Sequence, residues 1–134
     1  MRPGPPRGDS HDVELTVTDD LAASTAPGLP PVATVPAVLA IGERACRELV
    51  APHLEDGEAV VVAKLDLSVR SPLPVGAVAT VTATVALGTP SSVTYEILAR
   101  HRGNMVARGS LEHRVVDTHT LAAEIEARQP APTS

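Results

Sequence analysis

The chain has 134 residues, a formal net charge of −5 and a single cysteine. This length fits one domain with a core of its own, and one cysteine excludes an internal disulfide framework and fits a reducing, cytoplasmic compartment. The negative charge and the absence of Trp and Phe argue against a nucleic acid partner. No apolar run approaches the ~20 residues of a membrane span and no signal peptide is recognisable, so we expect no membrane partner.

The two ends of the chain differ in composition from the middle. Residues 1–10 and 129–134 are rich in Pro, Gly and polar side chains. Such segments cannot bury enough apolar surface to stay ordered alone, so we expect two disordered tails. Residues 11–128 are expected to form a single domain.

The first half of that domain predicts a strand, a loop and a buried helix. Asp12–Thr18 alternates as a strand does, and the Pro-rich stretch Ala22–Pro31 is typical of a loop. Pro36 opens the helix, with Thr34 or Val35 at or near its N-cap. Apolar residues cover most sides of this helix up to Pro52, which indicates a buried helix.

Four strands and a short helix follow. In the first strand, residues 58–71, the odd positions from Val61 to Val69 are apolar and the even positions from Lys64 to Arg70 are polar, which predicts one face on a core. The other predicted elements are strands at residues 77–87, 93–101 and 105–116, and a helix at 118–128. One long buried helix wrapped by a curved antiparallel sheet of about five strands is an α+β arrangement, the hotdog fold.

The helix and the strands after it resemble those of the fluoroacetyl-CoA thioesterase family of the hotdog superfamily. The helix run Pro36–Cys46 and its exit Ala51–Leu54 are similar to the hotdog helix of that family. The run Val62–Gly76 resembles its second strand and Pro-x-Pro-x-Gly turn. The short segments 107–110 and 114–117 resemble its closing strand, so the resemblance covers about residues 12–126.

The resemblance implies a homodimer with active sites at the subunit interface. The substrates would be acyl groups carried as thioesters on coenzyme A or an acyl carrier protein, with no cofactor. The family uses a Thr at the helix entrance, a Glu within the helix and a His near the end of the next strand. The Glu matches Glu43, the Thr position falls on Val35 next to Thr34, and the His position falls on Val69 next to Arg70. A further His of the last strand falls on Leu111.

Glu43 is the predicted catalytic residue, as general base or as nucleophile. The alternative is a surface ion pair with Arg47, one turn further along the helix. The backbone N–H groups of Ala37 and Val38 are expected to bind the thioester carbonyl at the start of the helix.

The positions around the helix entrance are predicted to bind substrate. Thr34 either supplies the missing hydroxyl or caps the helix, and Arg70 either holds substrate or faces solvent. With Val35 and Val69 in place of the family's polar residues, the pocket should suit a bulky hydrophobic acyl group.

The remaining reactive side chains predict no further site. None of the five histidines has metal-ligand spacing, so no metal site is expected. His113 lies on the inner phase of the last strand and is interpreted as a structural histidine, while Cys46 is interpreted as a core residue. Arg100, Arg102 and Arg108 either meet carrier phosphates or face solvent.

Acyl-thioester hydrolysis is therefore the leading hypothesis. Two alternatives stay open at this point. One is a tailoring enzyme of a biosynthetic pathway that moves protons on a carrier-bound intermediate, as a dehydratase or cyclase does. The other is a non-catalytic protein that binds an acyl chain or another small molecule.

Overall fold

The computed structural model describes residues 1–24 and 26–130. The elements are β1 Ser10–Thr16, β2 Ala22–Ala23, β3 Val32–Ala33, α1 Val35–Val50, β4 Glu58–Val69, β5 Val78–Gly88, β6 Ser92–His101, β7 Asn104–Asp117 and α2 Thr118–Arg128. Five antiparallel strands form one sheet in the order β1-β5-β6-β7-β4, and the long helix α1 packs on its inner face. The predicted α+β hotdog architecture is thereby confirmed.

Helix α1 begins where local chemistry favours it. Thr34 is the N-cap, and its hydroxyl accepts a hydrogen bond from the Ala37 N–H at 3.2 Å. Pro36 lies in the first turn, where its missing N–H costs nothing. One face of the helix is buried on the sheet, through Val38, Gly42, Ala45, Cys46, Leu49 and Val50. The opposite face is open, so α1 is less enclosed than its composition predicted.

A β-bulge in β4 changes which residues face the helix. The register with β7 shifts between Val62 and Lys64. Val60 is buried, and Val62 pairs with the buried His113. Val60 and Val62 therefore lie on the inner face, where the sequence had predicted Val61 and Ala63. The prediction that the odd-numbered residues face the core along all of β4 is wrong before the bulge. The extra residue at the bulge reverses which residues face inward.

The edge strand β4 leaves apolar side chains uncovered. Val62, Leu65 and Val69 are 43, 42 and 38% exposed, although they lie on the same face as the buried Leu111 and Ala107 of β7. Among the described residues, β4 pairs only with β7, so its other edge is open. A long, exposed, apolar sheet edge is a surface that proteins normally cover or pair.

The first ten residues, predicted as a disordered tail, lie against the domain. The Met1 side chain is buried, the α-amino group lies 2.6 Å from Glu58 Oε2, and the Gly8 N–H donates to the Val85 carbonyl. Composition alone missed these contacts because each depends on a distant part of the chain. Of the other predicted tail, residues 131–134 lie outside the described residues.

The predicted loop at residues 22–31 begins with the short strand β2, which pairs with β3 directly after the loop. Thr25 of this stretch lies outside the described residues. The chain continues after β7 into α2, whose N-cap Asp117 accepts from the Thr120 N–H at 2.8 Å. Neither helix in residues 1–24 and 26–130 is long and apolar enough to cross a membrane.

Candidate active site

Helix α1 directs Glu43 into a cleft between the helix and β4. The cleft has a volume of about 590 Å³. Its charged groups are the carboxylate of Glu43, which is 22% exposed, and the guanidinium groups of Arg44 and Arg47. The rest of the lining is apolar and comprises Pro36, Leu39, Ala40, Val62, Leu65 and Leu111.

The two oxygens of the Glu43 carboxylate have different surroundings. Oε1 accepts a hydrogen bond from Arg47 Nε at 2.5 Å, and Arg47 Nη1 also donates to the Val60 carbonyl at 3.3 Å. Oε2 lies 3.7 Å from His113 Nε2, and neither of these two atoms has a hydrogen-bond partner among the described residues. The predicted Glu43–Arg47 ion pair is therefore formed, but Glu43 still lines the cleft, so the two interpretations are compatible.

Behind Glu43 lies a buried Tyr–His pair. Tyr95 and His113 have no exposed surface, and the Tyr95 hydroxyl lies 2.9 Å from His113 Nδ1. Burial lowers the pKa of His113 to about 4, an effect that Glu43 opposes and Arg47 reinforces, so the imidazole is neutral near pH 7. The sequence placed His113 on the inner face, but its approach to Glu43 depends on how α1 crosses the sheet.

Four of the predicted substrate-binding residues come together in a second cleft, at the start of α1. Thr34, Val35, Val69 and Arg70 line this cleft, which has a volume of about 440 Å³. Pro36 lines both clefts. Since Glu43 follows Pro36 by seven residues, it lies about 10 Å further along the helix. Within one chain the carboxylate and the second cleft are thus adjacent but separate.

The N–H groups of Ala37 and Val38, predicted to bind the thioester carbonyl, are already engaged by the helix cap. Ala37 N–H donates to both the hydroxyl and the carbonyl of Thr34, and Val38 N–H donates to that carbonyl at 3.1 Å. Neither donor is free for a substrate. This prediction needs correction, because the Thr34 cap uses the first-turn donors that the prediction assigned to a ligand.

The other reactive side chains lie outside both clefts. Cys46 is buried, and burial followed by the nearby Glu43 charge raises the pKa of its thiol to about 12, which fits its predicted role in the core. Arg108 lines a different groove, on the polar face of the sheet with Asp66 and Glu96. Within residues 1–24 and 26–130, no three His, Cys, Asp or Glu side chains are grouped to hold a metal ion.

Comparisons with known proteins agree with this architecture. The sequence model of the fluoroacetyl-CoA-specific thioesterase family matches residues 17–119, which is most of the chain. A search of curated proteins gives no match.

Solved structures are similar over nearly the whole length. The fluoroacetyl-CoA thioesterase FlK has 20% identity and a TM-score of 0.84, over 93% of this chain and 98% of its own. A thioesterase-superfamily protein of Thermus thermophilus has 21% identity and a TM-score of 0.85, over 95% and 94% of the two chains. A hot-dog-like protein of Thermanaerovibrio acidaminovorans has 21% identity and a TM-score of 0.87, over 95% of each chain. These three confirm the hotdog fold.

Proposed function

We propose that this chain, which belongs to the fluoroacetyl-CoA-specific thioesterase family, hydrolyses an acyl thioester with Glu43 as its catalytic residue. The family and the fold support thioesterase activity in general. The observation that carries the specific proposal is the position of Glu43, a carboxylate at the wall of a largely apolar cleft of about 590 Å³.

The chemistry needs one positioned carboxylate. As general base, Glu43 takes a proton from water while the water oxygen bonds to the thioester carbonyl carbon. The tetrahedral intermediate then collapses with cleavage of the C–S bond, and the leaving thiolate takes up the proton. As nucleophile, a Glu43 oxygen would bond to that carbon and expel the thiolate by cleavage of the C–S bond, which leaves an anhydride. Water then hydrolyses the anhydride to the free acid and the Glu43 carboxylate, and the thiolate takes up the released proton. The structure is compatible with both routes.

The lining of the two clefts favours a hydrophobic acyl group. Val35 and Val69 stand at the positions where the family has Thr and His, and apolar side chains form most of both walls. Arg44 and Arg47 at the Glu43 cleft are 60 and 48% exposed. They are suited to the phosphates of coenzyme A or of a carrier-protein arm.

The working unit in this proposal is a homodimer formed through β4. Pairing of β4 with β4 of a second copy about a two-fold axis would use the open strand edge and cover Val62, Leu65 and Val69, the exposed apolar residues described above. The resulting sheet would be continuous across both copies.

Such a dimer would also join the two clefts. If the antiparallel pairing is centred near Leu65, the end of β4 in the second copy, with Val69, lies beside the first half of β4 in the first copy, next to the strand segment that lines the Glu43 cleft. Arg70 of the second copy follows directly. Its guanidinium then supports the thioester oxygen, in place of the Ala37 and Val38 N–H groups that Thr34 occupies.

The experiment is release of free thiol from a panel of short, branched and aromatic acyl-CoAs and acyl carrier proteins. Glu43→Gln is expected to lower turnover by about two orders of magnitude or more, since it removes the base or nucleophile but keeps the side-chain size. Glu48→Gln is the matched control, because Glu48 lies on the same helix, pairs with Arg44 and His11, and faces away from the cleft.

Two outcomes would contradict the proposal. Equal activity of wild type and Glu43→Gln would remove Glu43 from the chemistry. No turnover of any thioester by the wild-type chain would refute hydrolysis.

One observation also favours a second candidate function. Of the three family positions only Glu43 keeps its chemistry, and a single carboxylate in an apolar cleft is sufficient for proton transfer. A dehydration or cyclisation of a carrier-bound intermediate would therefore remain open to this site if the thioester stays intact. Mass spectrometry of the carrier-bound product distinguishes this reaction from simple binding, in which the acyl group is unchanged.

A further inference from the structure

Tyr95 and His113 form a polar pair inside a core that is otherwise built from apolar side chains. The sequence contains one Tyr, which is Tyr95, and no Phe or Trp. Among the described residues classed as polar or charged, only His113 is buried. Burial of a polar group costs free energy unless it is hydrogen-bonded. His113 is bonded on one side only, at Nδ1, and its other nitrogen faces Glu43.

The surroundings of His113 favour one of its two neutral tautomers. A carboxylate can only accept hydrogen bonds, so the 3.7 Å approach of Glu43 Oε2 to Nε2 is favourable when Nε2 holds the proton. Nδ1 is then an acceptor, and the Tyr95 hydroxyl is its donor at 2.9 Å. The opposite tautomer would set the lone pair of Nε2 against the carboxylate. Burial raises the pKa of Tyr95, so its hydroxyl keeps the proton that it donates.

The charged and titratable groups around this pair come from two sides. Tyr95 faces His113 from β6, with the two rings nearly perpendicular and their centroids 5.2 Å apart. From α1, Glu43 and Arg47 act on the imidazole, and Cys46 lies near enough to affect Tyr95. The pair is therefore placed between the core and the carboxylate that we assign to catalysis.

We propose that Tyr95 and His113 are positioning residues for the Glu43 carboxylate: the Tyr95 O–H donates to Nδ1 of His113, and Nε2–H then faces Oε2 at 3.7 Å as an electrostatic contact. This inference rests on the proposed function. Arg47 is hydrogen-bonded to Oε1, and the Nε2–H of His113 attracts Oε2 electrostatically from 3.7 Å, so each oxygen has a preferred direction. A neutral N–H donor also stays favourable when Glu43 gains a proton, because the protonated acid keeps an acceptor oxygen.

The test separates this role from simple packing. Tyr95→Phe removes only the hydroxyl, His113→Leu removes both nitrogens, and His113→Gln keeps an N–H donor near the position of Nε2. We expect His113→Leu to lower kcat by about 100-fold with KM changed less than about twofold, and His113→Gln to recover most of that loss. Ile97→Val is the packing control, because it trims a buried residue on the same strand as Tyr95 without touching a polar group.

A measurement independent of activity reads the tautomer directly. Long-range ¹H–¹⁵N NMR of the wild-type chain should show His113 protonated at Nε2, and Tyr95→Phe should shift the population toward the Nδ1–H form. A wild-type Nδ1–H tautomer would overturn the inference whether or not the chain is a thioesterase.

The kinetic results distinguish the two proposals. Wild-type kcat in His113→Leu, with Glu43→Gln inactive, would overturn the positioning role and leave the proposed function standing. An equal fall of kcat in Ile97→Val and Tyr95→Phe would also overturn it, since packing would then explain the loss. If the wild-type chain hydrolyses no thioester, the proposed function fails, and the NMR result alone decides the arrangement of the pair.

Discussion

Acidification should destabilise the folded chain through His113. The side chain has no exposed surface, and burial lowers its pKa from 6.5 to about 4. The unfolded chain therefore takes up the proton at a higher pH than the folded chain does. The stability that His113 contributes is fully present above about pH 6.5, and it is lost as the pH falls toward the folded pKa of about 4.

The size of the effect follows from the two pKa values. The full difference between 6.5 and about 4 is equivalent to about 3 kcal/mol. Between about pH 7 and about pH 4.5, most of it, roughly 2 kcal/mol, should disappear from the free energy of unfolding. This is a large fraction of the total stability of an ordinary domain.

Urea unfolding of wild type and His113→Gln at one protein concentration provides the assay. Fluorescence of the single tyrosine, Tyr95, and far-UV circular dichroism report the transition, and linear extrapolation gives the free energy of unfolding. Gln does not titrate, so the variant lacks the His113 contribution but keeps every other acid-sensitive group. We expect the wild-type chain to lose roughly 2 kcal/mol more than the variant over this pH range. Parallel losses in the two chains would refute the view that His113 is buried in its neutral form.

Three other predictions concern packing, reactivity and assembly. Gly109→Ala should lower the free energy of unfolding by about 3 kcal/mol, because the new Cβ would lie 2.0 Å from the Asp66 carbonyl oxygen. Urea unfolding measures this loss, and an unchanged midpoint would contradict the close contact between β4 and β7. The Cys46 thiol, with its pKa raised to about 12, should not react with a disulfide reagent at neutral pH until the chain unfolds. Rapid labelling of the native chain would contradict the burial of Cys46. Leu65→Glu should convert the proposed dimer to monomer in sedimentation, while Leu87→Glu, three strands away and 60% exposed, should not. A monomeric wild type, or dimers in both variants, would contradict pairing through β4.

Local sequence signals determined most of the secondary structure. Thr34 and Pro36 fixed the start of α1, because a hydroxyl cap and a residue without an N–H suit a helix N-terminus in any tertiary setting. The alternating residues predicted the four strands after the helix for the same reason, since period-2 patterning acts over a few neighbours. The position of Glu43 on the helix was also readable, because it depends only on helical spacing and the family motif.

Only the tertiary structure decided the surroundings of Glu43. The bulge between Val62 and Lys64 reversed the facing of β4, and an alternation pattern contains no signal for one inserted residue. The approach of His113 to Glu43, and the Tyr95 bond behind it, join three elements that are far apart in sequence. Such contacts depend on the register of β6 with β7 and on how α1 crosses the sheet. The sequence by itself therefore determined where Glu43 lies on the helix, and the packing of distant elements determined which groups surround it.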